Sequence, residues 1–276
     1  MSASVRGIPV YPLGHSEHEM ERLSRQGKAF EAFTRQLLMQ AGVRSGMRVL
    51  DVGCGAGDSS LLIAELVGDN GEVIGVDREP MAVGWSRARA HSHGCKNVQF
   101  LEGDPAMVDF DKEFDAVVGR TVLMYYPDPT DAVRRLAHHL RPGGLIVFQE
   151  FDLQNARSWP PAPTFDRTVG WIKQTLHSTG ARTELGLELH QVFVAAGLPT
   201  PSLRMDALIG GGSDFPFEIL AATVESMLPR MRELKITLPV EVHSATLALR
   251  MRDEVLESKG VVLSPGLIGA WTRKPA

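Results

Sequence analysis

The segment that most constrains this chain is Val49-Leu50-Asp51-Val52-Gly53-Cys54-Gly55-Ala56-Gly57-Asp58. A short apolar run, read as a strand over 47–52, enters three glycines spaced one residue apart. A helical pattern over 59–67 follows and stops at Gly68. Strand, glycine turn and helix in that order make the opening unit of an α/β layer fold. Glycines let the backbone bend sharply there and bring it close to a ligand.

The rest of the chain repeats the rhythm. Strands are expected over 72–76, 97–101, 114–118 and 145–148, mostly as continuous apolar runs, as in a parallel sheet covered on both faces. Pro80 opens one intervening helix. Asp128 caps another, whose buried stripe is Val133, Leu136 and Leu140; Pro142-Gly143-Gly144 is read as a tight turn into the fifth strand. Upstream, 1–15 reads as irregular, and Ser16 with Glu19 fits a capping box opening one helix over 17–41. Downstream, 155–163 reads as loop and 164–179 and 183–196 as helices. A strand over 201–209, helices over 217–236 and 241–258 parted by Pro239, and a last strand over 261–271 complete the pattern. We expect a single domain over 1–276, with a cap helix over 1–41, a ligand-binding core over 42–150 and helical lid additions over 151–200 and 213–259.

Composition narrows the partners. The 276 residues carry a net charge of -4, with 43% hydrophobic and 22% charged residues, as in an ordinary soluble globular protein without the basic surface that wraps nucleic acid. No apolar stretch is long enough to span a bilayer, and charges throughout the first thirty residues leave no secretory signal core. Two cysteines, Cys54 and Cys95, cannot build a disulfide framework, which points to a reducing cytoplasm. The expected partner is a small molecule, with no nucleic acid or membrane; a homodimer is compatible with this composition.

The glycine turn does not suit a dinucleotide. That fingerprint needs its third glycine at position 58, which is Asp58 here, and the carboxylates of Asp51 and Asp58 would repel a pyrophosphate. They would attract a cation. S-adenosylmethionine is cationic at sulfur and carries a ribose diol and an adenine without phosphate. Asp77, ending the second strand, can accept both ribose hydroxyls. Asp104, after the third strand, can accept from the adenine amine, and Met81 can pack on its ring. All stand at strand C-terminal ends, where open α/β sheets bind ligands.

These residues resemble the class I S-adenosylmethionine-dependent methyltransferases, small-molecule (natural-product) branch. The likeness covers 47–150: the glycine turn, Val76-Asp77, Gly103-Asp104, Phe114-Asp115-Ala116-Val117-Val118 and Leu140-Arg141-Pro142-Gly143-Gly144. It implies a Rossmann-like, mostly parallel sheet in the order 3-2-1-4-5-7-6 with helices on both faces and the last strand antiparallel. It implies methyl transfer from S-adenosylmethionine, leaving S-adenosylhomocysteine. By position, Asp51, Gly53, Gly55 and Gly57 would line the methionine end, Asp77 and Arg78 the ribose side, and Met81, Asp104 and Pro105 the adenine. Gly119 and Arg120 would lie near the methionyl tail, and Arg25 or Gln26 would reach its carboxylate. In one departure, Pro105 stands where the family offers a backbone N–H to adenine, so that either Ala106 supplies the donor or the loop is shifted.

Methyl transfer is an in-line displacement that requires mainly alignment and exclusion of water, and a base only for a nucleophile that holds its proton tightly. Glu150, His190 and His243 are the candidate catalytic groups, with Tyr125 and Tyr126 as walls and Gln149 nearby. No metal is expected: the pairs His15/His18, His91/His93 and His138/His139 lack partners at ligand spacing. The expected reaction is methylation of an oxygen or nitrogen of a small metabolite, with antibiotic biosynthesis a natural setting. The alternatives are methylation of a quinone-ring carbon, methylation of tRNA or protein, and S-adenosylmethionine binding without transfer.

Overall fold

The computed structural model describes residues 11–14, 16–212, 214–236 and 242–276. The expected irregular stretch 1–10, His15, and the Pro239 break with the first position of the helix at 241–258 lie outside the described residues. The sheet is built from β1 (Arg48–Val52), β2 (Glu72–Asp77), β3 (Val98–Glu102), β4 (Phe114–Arg120), β5 (Leu140–Asp152), β6 (Ser202–Asp206) and β7 (Gly266–Arg273). Their order is 3-2-1-4-5-7-6, as expected, with β1 to β5 parallel and β7 antiparallel to both β5 and β6.

Alternation along the strands sorts two apolar layers. Val49, Val73, Ala116, Val118 and Val147 face one side, where α2 (Glu31–Ala41) and α3 (Asp58–Val67) bring Leu37, Leu38, Ile63 and Val67. Leu50, Val52, Ile74, Val76, Val117, Ile146 and Phe148 face the other, where α5 (Pro129–His138) brings Val133 and Leu136 and α7 (Leu185–Ala195) brings Phe193. Each such side chain contributes about 1.5–3 kcal/mol on leaving water, and covering both faces is what makes the strands apolar along their whole length. The α4 helix (Pro80–Ser92) follows β2, and α6 (Pro163–Ser178), α8 (Phe217–Glu233) and α9 (Ser244–Glu257) pack on one another beyond the C-terminal ends of the strands. Among the described residues no helix is long and apolar enough to cross a membrane.

Three expectations need correction. The helix expected over 17–41 is two, α1 (Glu17–Ala29) and α2, broken at Phe30, where φ is -103° and ψ 5°. The break follows from two burial targets: α2 packs on the sheet while α1 swings over its edge against α8, and Phe30 fills the corner against Phe33 and Phe151. Second, the strands expected over 201–209 and 261–271 each change sheet partway. Arg157–Trp159, Ile209–Gly210 and Val261–Leu263 form a small antiparallel sheet. Leu208 and Ser264 bond reciprocally at 2.8 and 2.9 Å where the two chains cross over, and the supposed loop 155–163 supplies the third strand. Third, Pro142-Gly143-Gly144 lies inside β5 as an irregularity, since Phe114 pairs with Leu140 but Ala116 with Leu145.

Candidate active site

The glycine turn sits on the C-terminal ends of β1 and β2. Gly53, Gly55 and Gly57 have φ of 65°, 53° and 84°, a region that side chains resist. At Gly53 contact adds to conformation: a Cβ would stand 2.3 Å from Val122 Cγ2. The N–H groups of Gly53 and Cys54 donate to Val76 O. Asp77 braces the turn, its Oδ2 accepting from Gly55 N at 2.8 Å and its Oδ1 from Glu79 N at 3.0 Å.

Gly53, Gly55, Asp77, Arg78, Gln26, Pro105 and Arg120 line one cavity of about 410 Å³, a size suited to small molecules. Other expected ligands stand behind its wall. Asp51 is buried beneath the turn, where Ser60 Oγ donates to it at 2.5 Å and burial lifts its carboxyl to about 7. Gly57 opens α3 and faces Ser86, not the cavity. Asp58 does line the cavity, but Arg89 pairs with it at 2.9 Å. Of the expected carboxylates, Asp58 and Asp77 therefore line the cavity while Asp51 does not, and Glu79, which was not anticipated, lines it as well. Met81 is half-exposed on the outer side of α4. Asp104 lies behind Arg78 and Tyr126, accepting from Arg78 Nη2 at 2.6 Å, Tyr126 Oη at 3.2 Å and Ala106 N at 3.0 Å. That last bond occupies the donor expected to replace Pro105.

Arg120 lines the cavity half-buried, its Nη1 donating to Thr34 Oγ1 at 3.2 Å, and desolvation lowers its pKa. Its guanidinium keeps donors for an anion. Gln26 faces the cavity, whereas Arg25 borders an outer groove. The candidate base Glu150 is wholly buried and off the cavity. Its Oε1 accepts from Val122 N at 2.9 Å and Leu123 N at 2.7 Å, so it fixes the turn carrying Thr121, which has φ 52°. Burial lifts its carboxyl to about 7. His190 points outward from α7 and His243 is exposed just before α9; neither reaches the cavity. Gln149 is buried and accepts from Thr34. Among the described residues no cluster suits a metal.

The far end was not anticipated. Arg22 and Glu19, 3% and 0% exposed, form a two-point ion pair with both contacts at 2.7 Å. Tyr11 Oη donates to Glu19 at 2.8 Å, and Arg22 Nη1 reaches Gln26 at 2.6 Å and Thr223 on α8 at 3.3 Å. Around this network stand Phe30, Phe151, Ile172, Leu176, Phe215, Ile219 and Met227. The signal available in sequence was the i, i+3, i+7 row Glu19, Arg22, Gln26 beside Met20 and Leu23 on one amphipathic helix.

A family model described as a methyltransferase domain matches residues 43–193. The chain belongs to the class I methyltransferase family. The cofactor of that family is S-adenosylmethionine. Demethylmenaquinone methyltransferase of Staphylococcus aureus is 32% identical over 136 residues, 49% of this chain and 53% of that protein. The chloroplastic 2-phytyl-1,4-beta-naphthoquinone methyltransferase of Arabidopsis thaliana is 34% identical over 119 residues, 42% and 46% of the two chains. This methyltransferase chain spans about half the length of the curated relatives it matches. A putative methyltransferase of Bacillus halodurans has the same fold, with a TM-score of 0.58 at 18% identity over 88% of this chain and 99% of that one.

Proposed function

We propose that this chain transfers the methyl group of S-adenosylmethionine to an oxygen or nitrogen of a small, flat, largely apolar molecule. One observation carries the reading: a single cavity runs from the glycine turn and Asp77 to an aromatic and aliphatic end bordered by α1, α6 and α8. When bound, S-adenosylmethionine supplies an electrophilic methyl on sulfur. Asp77 would accept the ribose hydroxyls, with Arg78 and Pro105 beside the adenine. Gln26 and Arg120 would hold the methionyl carboxylate, a role supported by the unused guanidinium donors. The chain's own contribution is alignment and exclusion of water; α6 and α8 serve as the lid, and a roofed cavity suits a metabolite better than tRNA or protein.

A second reading, methylation of a quinol ring carbon, is favoured by the relatives' names, which give demethylmenaquinone and a 1,4-naphthoquinone as what they methylate. Those matches reach over about half of the chain, so the acceptor end carries little weight in them. The experiment supplies methyl-¹³C S-adenosylmethionine with a reduced 1,4-naphthoquinol, a catechol and a metabolite extract, and reads the products by mass and ¹³C NMR. An O– or N–methyl signal supports the first reading and a ring C–methyl the second. S-adenosylhomocysteine binding without any labelled product overturns both.

A further inference from the structure

The two adjacent tyrosines of the Thr121–Tyr126 segment face opposite ends of the cavity. Tyr126 turns to the adenosine side, where its hydroxyl donates to Asp104 and Arg78 lies over its ring at 4.7 Å. Tyr125 turns to the apolar end, its ring edge-on to Tyr11 with centroids 5.1 Å apart. The hydroxyls differ in their partners. Tyr126 and Tyr11 are both bonded to carboxylates, whereas the Tyr125 hydroxyl has no hydrogen-bond partner among the described residues. Burial raises the Tyr125 phenol well above its ordinary value, so it keeps its proton. The Tyr125 side chain is half-buried and lines the cavity, so its O–H is available to a molecule bound there. It faces the end of the cavity where Phe30, Phe151, Leu176 and Phe215 surround the Arg22 network, whose guanidinium is already engaged by Glu19, Gln26 and Thr223.

We propose that the Tyr125 hydroxyl is the specificity-determining donor for the acceptor, and that the acceptor class is an aromatic ring bearing an oxygen, phenolic or carbonyl, which receives that proton. The side chain is held for the task. Its backbone segment is fixed by Glu150 through Val122 and Leu123, and Val122 in turn packs on Gly53. The ring oxygen would therefore sit at a fixed place relative to the glycine turn. An unsubstituted hydrocarbon filling the same apolar end would leave the donor unpaired. This inference rests on the proposed assignment of the apolar end to the acceptor.

The test uses the full chain saturated with S-adenosylhomocysteine and compares 1-naphthol with naphthalene by calorimetry, in the wild type and in Tyr125→Phe. The substitution keeps the ring and its contact with Tyr11 and removes only the hydroxyl. The expected result is a five- to tenfold weaker binding of 1-naphthol by the variant, as for loss of one neutral hydrogen bond, with naphthalene unchanged. Equal losses for the two ligands, no loss for 1-naphthol, or no binding of either by the wild type overturns the proposal. Circular dichroism and the affinity for S-adenosylhomocysteine verify that the variant is folded. Failure of the wild type to bind S-adenosylhomocysteine would instead count against the proposed function itself, and so the two failures are distinguishable.

Discussion

The Arg22–Glu19 pair gives the most demanding test of how the cavity wall is held. Both groups are out of water, and each fills the other's needs: two contacts at 2.7 Å, a third from Tyr11 to Glu19, and Gln26 and Thr223 on the remaining Arg22 nitrogen. Arg22→Met removes the cation and strands a buried carboxylate; Glu19→Leu strands a buried guanidinium. Each single change is expected to cost about 3–5 kcal/mol. The double change removes both charges together and leaves Tyr11, Gln26 and Thr223 short of one partner each, about 3 kcal/mol in all. The sum of the singles, roughly 6–10 kcal/mol, therefore exceeds the double by about 5 kcal/mol. Urea denaturation of the four proteins, followed by circular dichroism at constant slope, reads this coupling directly. Additivity within about 0.5 kcal/mol, or a single variant losing under 1 kcal/mol, would refute the view that the pair is a mutually compensating unit.

Three further outcomes are expected. Asp77→Ala should weaken S-adenosylhomocysteine binding by about 1–3 kcal/mol in calorimetry, since it also releases the Gly55 and Glu79 N–H groups; unchanged affinity would remove it from the ribose. Gly53→Ala places a Cβ 2.3 Å from Val122 at φ 65° and should lose about 2–4 kcal/mol of stability in the same urea assay; a loss below 1 kcal/mol would mean that the turn yields. Burial holds the Glu150 carboxyl near 7 against 4.5 unfolded, so its stabilising contribution is complete below pH 4.5 and disappears as pH rises through 7, a loss of about 3 kcal/mol. Asp51, lifted to about 7 from 3.8, acts in the same sense. Glu150→Gln should flatten the fall in stability between pH 4.5 and 7, because the amide imitates the protonated acid; a curve parallel to the wild type would contradict the assignment.

The order of the sheet and the position of the glycine turn were legible because each rests on local rules: apolar runs of strand length, glycines where φ is positive, and Asp77 at a strand end. What a strand end does not tell is depth. Glu150 ends an apolar run, as Asp77 does, yet it lies one layer below the cavity because the turn at Thr121–Tyr125 folds over it. Its burial was written in β7, which pairs Ile268 with Glu150 from more than a hundred residues away. His190 was readable with closer attention, since Leu189, Val192 and Phe193 already define the buried stripe of α7 and leave 190 outward. The small sheet was only half readable: Pro265-Gly266 interrupts the expected last strand, since proline has no donor for the ladder, but nothing in 207–208 announces the matching break. Arg22 escaped notice for a tertiary reason, as only its contact with Thr223 on α8, and that of its partner Glu19 with Tyr11, turn an ordinary helix ion pair into a wall of the cavity.

The end of the cavity proposed for the cofactor draws on the stretch from Gly53 to Arg120, with Gln26 added from α1, while the opposite end is assembled from Tyr11 and Arg22, Phe151, Ile172, Phe215 and Met227. Scattered replacements in the dispersed half would therefore change which molecule is admitted while leaving the stretch from Gly53 to Arg120 intact.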